Sequence, residues 1–90
     1  MKYKIGDIVV IKSDLIPGKI YGKYNFNQFG SMNIYCGKIV KITSMSLSKG
    51  LEAYQIFNCP WFFWTDEMIE RFATEEEKQR FILETMAEVL

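Results

Sequence analysis

No histidine occurs in these 90 residues. That removes the commonest general base and the commonest metal ligand. Cysteine is scarce: Cys36 and Cys59 are the two in the chain. Two lone thiols make a poor zinc site, since structural zinc takes four nitrogen or sulfur ligands. Arginine is absent before Arg71. No apolar run approaches the roughly 18 residues that span a bilayer, so no membrane segment is expected. The G-x-x-x-x-G-K-[ST] and G-x-G-x-x-G patterns that cradle phosphates are missing. Cofactor and metal are therefore both expected to be none, and no catalytic residue is assigned. The charged start Met1-Lys2-Tyr3-Lys4 is followed by no signal-peptide core. A cytoplasmic location is expected, with two reduced thiols rather than a disulfide.

Apolar residues are abundant at 49%, and aromatics make up 16%. This is enough for a real core in one domain. Net charge is zero but uneven: residues 1–64 carry +5 and residues 65–90 carry −5. The simplest reading of the tail is a helix with a solvated acidic face. The sharper readings are pairing of unlike charges or a basic ligand surface on the body.

Gly6-Asp7 signals a turn, and the β-branched run Ile8-Val9-Val10-Ile11 after it predicts a strand covered on both faces. Residues 13–34 read as a long loop studded with Tyr21, Tyr24, Phe26 and Phe29. Tyr35–Thr43, Ala53–Phe57 and Trp61–Trp64 read as further strands, with turns at residues 44–50 and 58–60. Thr65-Asp66-Glu67 reads as the cap of one helical turn through Met68 and Ile69. Short strands between turn signals predict a small barrel, whose closure would remove edge strands. From Thr74 the period becomes helical, and Thr74 with Glu77 forms a capping box. Ile82, Leu83, Met86, Val89 and Leu90 fall on one apolar face, with Phe81 to its side. The arc is about 200° wide, broader than docking alone needs. Phe81, Ile82, Met86 and Val89 are thus expected to pack on the barrel or on a second copy of the chain.

Lys4–Ile11 (K-I-G-D-I-V-V-I), Tyr35–Ile42 (Y-C-G-K-I-V-K-I) and Trp64–Glu70 (W-T-D-E-M-I-E) together resemble a set found in small phage and prophage proteins of Gram-positive bacteria. Those proteins resemble SH3-like barrels with a K-x-G-D-x-V start. The resemblance covers about residues 4–72. It implies a mainly β, SH3-like barrel over residues 1–72 and a phage or mobile-element origin, and it supplies no catalytic residues. The helix over residues 73–90 departs from the pattern.

Four consecutive aromatics, Trp61 to Trp64, must point two to each face of a strand. One pair can fill the barrel, and the other must lie under the helix, under the loop or at a binding surface. Asp66, Glu67 and Glu70 are expected to form a cap and solvated turn rather than an acid–base group. Tyr21, Tyr24, Phe26, Phe29, Trp61 and Trp64 are the candidate partner-binding residues, since tyrosine and tryptophan dominate interface hot spots. The expected function is a non-catalytic interaction module that occupies a host or phage protein, for example as a host-defence inhibitor of the anti-CRISPR type. The alternative is a weak nucleic-acid binder using Lys19, Lys23, Lys38 and Lys41. The lack of arginine in the body weakens that alternative.

Overall fold

A computed structural model describes residues 1–26, 32–47 and 50–89, with the side chains of residues 60, 61 and 87–89 outside the description. The elements run β1 (Ile8–Ile11), β2 (Ile20–Tyr21), β3 (Tyr24–Asn25), a 3₁₀ turn (Met32–Tyr35), β4 (Ile39–Ser46), β5 (Ala53–Ile56), β6 (Cys59–Trp64), a second 3₁₀ turn (Asp66–Met68), β7 (Ile69–Phe72) and α1 (Glu75–Val89). The chain is mainly β with one C-terminal helix. Five strands form an antiparallel sheet in the order β6-β5-β4-β1-β7, and β2-β3 is a separate hairpin. Among the described residues the large sheet is open, with β6 and β7 at its edges. The expected closure is not found.

β1 lies between β4 and β7, with Val9 opposite Val40 on one side and Phe72 on the other. The pleat sends Val9 and Ile11 into the core with Val40 and Ile42. Val10 points the other way, opposite Ile39 and Arg71, and is also buried. Both faces of this strand are covered, as its unbroken apolar run predicts. Register shifts between Val10 and Ile11, Ile42 and Ser44, and Tyr54 and Ile56 bend the ladder. β5 and β6 meet through the tight turn Phe57-Asn58, where Asn58 takes φ +62. Asparagine tolerates this left-handed backbone better than most residues. The turn is therefore one residue earlier than expected. Pro60 stands in edge strand β6, where a residue with no N–H is tolerated.

Three local expectations change. Tyr35 closes a 3₁₀ turn, Cys36-Gly37 turn again, and β4 begins only at Ile39 and runs on to Ser46. The 13–34 loop contains the β2-β3 hairpin. After the predicted single turn at residues 66–68, the chain forms a strand, β7, whose ladder to β1 includes Lys12 N–H to Met68 O at 3.0 Å and Ala73 N–H to Ile8 O at 2.9 Å.

The capping box forms as read. Glu77 N–H donates to Thr74 Oγ1 at 3.2 Å, and Thr74 N–H donates to Glu77 Oε1 at 2.8 Å. Arg71 grips the same carboxylate through both nitrogens, at 2.7 and 3.1 Å. This pins the first turn of α1 to β7. Phe81 then meets the ring of Phe57 edge-on at 6.2 Å. The docked face therefore runs through Glu77, Lys78, Phe81 and Thr85, the half-buried residues of α1. Phe81, placed at the side of the apolar arc by the helical wheel, is the residue that docks. Ile82, Leu83 and Met86 stay 43%, 67% and 57% exposed. Val89, expected to share this packing, has its side chain outside the described residues. Among the described residues no helix is long and apolar enough to cross a membrane.

Candidate functional site

The site forms where three segments meet: the β2-β3 hairpin, residues 51–52 before β5, and the turn after β6. The hairpin turns through Gly22-Lys23, with Tyr21 opposite Tyr24. Gly22 has φ +67 and sits against the later turn. A Cβ there would lie 2.9 Å from Glu67 Oε2 and 3.2 Å from Thr65 Cγ2. The buried Thr65 hydroxyl donates to Tyr21 O at 3.1 Å. It ties the two segments together instead of capping the 3₁₀ turn, where it makes no side-chain cap bond.

Tyr24 stacks on Phe63 with centroids 5.3 Å apart and rings 24° from parallel. Its hydroxyl donates to Leu51 O at 2.9 Å. Tyr24 is half-buried, whereas Phe63 is 39% and Leu51 50% exposed. Tyr24 and Phe63 make an aromatic shelf open to solvent, with the exposed Leu51 tied to it through its carbonyl. Beside it lies a cleft of about 240 Å³ lined by Met1, Gly22, Lys23, Glu52, Thr65, Asp66 and Glu67.

Beneath the cleft, Tyr54 links the chain start to the turn. Its hydroxyl donates to Asp66 Oδ1 and accepts from the buried Tyr3 N–H at 2.9 Å. Asp66 also accepts from Lys2 N–H at 3.2 and 3.3 Å. Burial, first, and the hydrogen bond to Asp66 push the Tyr54 phenol well above its ordinary range, so it stays a donor. Tyr35 is pushed up to about 12, by burial first and then by its contact with Cys59.

Of the six aromatic candidates, Tyr24 alone is seen at this shelf. Tyr21 is half-buried: its hydroxyl accepts from Ile16 N–H at 2.9 Å, and Lys19 Nζ lies 5.3 Å from its ring centre. Phe26 and Trp64 are corrections. Both are fully buried and meet edge-on at 6.5 Å, so they build the core instead of contacting a partner. Phe29 lies outside the described residues, as does the Trp61 side chain. Within the Trp61–Trp64 run, Phe62 and Trp64 join the core and Phe63 faces out. Phe63, Leu51, Glu52 and Glu67 were not singled out as site residues from the sequence. The outward member of the aromatic run was the signal available for Phe63.

The four lysines of the alternative reading occupy separate positions. Lys19 lies over Tyr21, and Lys23 borders the carboxylates of the cleft. Lys38 precedes β4, and Lys41 points outward between the buried Val40 and Ile42. Both cysteines are free thiols. Burial, above all, pushes the Cys36 thiol up, and Cys59 is fully buried. Among the described residues no group of three His, Cys, Asp or Glu could hold a metal ion.

Comparison with models of known families, with curated proteins and with solved structures gives no match.

Proposed function

We propose that this chain is a small non-catalytic interaction module of the SH3-like kind, from a phage or mobile element, that binds a host or phage protein in the host cytoplasm. Inhibition of a host defence system, as anti-CRISPR proteins do, fits such a module. The observation that carries the reading is the Tyr24–Phe63 stack with Leu51, an apolar shelf left in water beside a cleft. Exposed aromatics of this kind are the usual anchors of protein interfaces.

The SH3-like assignment draws support from strand order. A meander β4-β5-β6 follows β1, and a 3₁₀ turn leads into β7, which returns to β1. Bulges bend these strands enough to wrap a small core without full closure. The non-catalytic reading draws support from Cys36, whose burial disfavours the nucleophilic thiolate. A second copy of the chain is the proposed cover for Ile82, Leu83 and Met86, since a two-fold dimer is the commonest way to cover an apolar face.

The test is a pull-down from host lysate with the wild type and with Tyr24→Ala/Phe63→Ala, in nuclease-treated and untreated arms. A protein retained in both arms and lost with the double variant supports the reading. Retention that disappears with nuclease treatment refutes it and favours the lysine-based alternative, and retention that ignores the double variant refutes the shelf as the binding face.

A further inference from the structure

The shelf and the cleft are built from neighbouring residues of the same three segments. Lys23 precedes Tyr24, Glu52 follows Leu51, and Thr65 lies two residues after Phe63, so the cleft and the shelf lie close along the chain. The two parts differ in chemistry. The shelf is apolar. The cleft holds three carboxylates, Glu52, Asp66 and Glu67, against two cationic groups, Lys23 and the Met1 ammonium.

The carboxylates are not equivalent. Asp66 is occupied by Tyr54 and by the Lys2 amide. Glu52 and Glu67 are exposed, and neither has an ion-pair partner among the described residues. Gly22 brings no side chain over Glu67, and a Cβ at that position would crowd Glu67 Oε2. The acidic ends therefore stay open beside an apolar shelf, although residues 1–64 carry net positive charge.

We propose that this surface takes a protein segment that lays an apolar side chain on Tyr24 and Phe63 and sets a neighbouring lysine or arginine against Glu52 and Glu67. The proposal rests on the interaction-module reading and adds the charge of the partner. The apolar contact supplies affinity, and the carboxylates select sign and orientation, as charges at the edge of an interface do. A phosphate backbone is repelled by the same two groups, so this face does not serve a nucleic acid.

The experiment pans a display library of short random peptides against the intact chain, with Phe63→Ala and Glu52→Lys/Glu67→Lys as parallel targets. Thermal melts establish that the variants fold. If Phe63→Ala lowers stability, Phe63→Leu replaces it. The expected winners pair lysine or arginine with an adjacent apolar residue. A synthesised winner should lose about tenfold in affinity on the charge-reversed variant, the size expected of two partly exposed charge pairs, and should weaken as salt rises. Winners that are apolar or acidic without a basic residue, yet need Phe63, overturn the charge assignment and leave the interaction face standing. Selection no better on the wild type than on the Phe63 variant sinks both.

Discussion

Replacing Tyr54 with phenylalanine removes one oxygen and leaves the ring, including its edge contact with Tyr3 at 6.0 Å. That oxygen is the acceptor for the buried Tyr3 N–H and a donor to Asp66. Phenylalanine cannot replace either bond. A buried N–H left without an acceptor costs about 1–3 kcal/mol. Asp66 loses a donor but keeps the Lys2 amide, and it is partly exposed. That second loss is screened and adds about 1 kcal/mol at most. The expected destabilisation is therefore about 2–3 kcal/mol, a large share of what a domain of this length has to lose. For a chain of this size it lowers Tm by roughly 10–20 °C. Urea unfolding of the wild type, Tyr54→Phe and Tyr24→Phe measures it. Tyr24 donates to Leu51 O at an exposed position, so its variant should lose less than about 1 kcal/mol. If Tyr54→Phe unfolds within about 0.5 kcal/mol of the wild type, the buried-bond argument is wrong.

Glu77 is held down to about 2 from a usual 4.5, by Arg71 first and then by the Thr74 amide. Its folded form binds the proton more weakly than the unfolded chain does. The contribution is whole above pH 4.5 and fades as pH falls toward about 2. Protection of the first-turn amides of α1, relative to intrinsic exchange, should therefore fall over that window, less so at high salt, and pH-independent protection would contradict the pinning of the helix. Gly22→Ala should cost about 1–2 kcal/mol, since a Cβ at φ +67 is strained, and the new methyl also crowds Thr65; an unchanged urea midpoint counts against the close approach. Ile82→Asp/Met86→Asp changes side chains that are already exposed. Light scattering should report a loss of mass with little change in monomer stability, and a wild type that already runs as a monomer at high concentration removes the dimer.

β1, the run over Ala53–Ile56 and the capping box were legible in the sequence because each is a local pattern. Four β-branched apolar residues in a row favour a strand whatever lies beside them, and Thr74 and Glu77 satisfy each other's amides within one turn. β7 was not legible. Ile69-Glu70-Arg71-Phe72 buries only its first residue, and it extends because β1 offers it a ladder some sixty residues earlier in the chain. The sense of rotation of α1 was likewise hidden. The apolar arc was visible, but with Arg71 gripping Glu77 it is Phe81 that meets Phe57 in the β5-β6 turn, and Ile82, Leu83 and Met86 stay outside.

The shelf and cleft depend on pairings that no local rule encodes. Tyr24 meets Phe63, Gly22 meets Glu67, and Tyr54 meets both Tyr3 and Asp66. Composition determined that aromatics would crowd any core and spill onto the surface. Which of them spill was decided by the pleat of β6, which sends Trp64 inward and Phe63 outward, and by the hairpin that carries Tyr24 to it. Alternation along a strand is local, but the face that becomes the inside is chosen by strands distant in sequence. The charge of the site follows the same logic: a chain that is net basic over residues 1–64 presents an acidic cleft, because folding brings Glu52 beside Asp66 and Glu67 from the acidic tail.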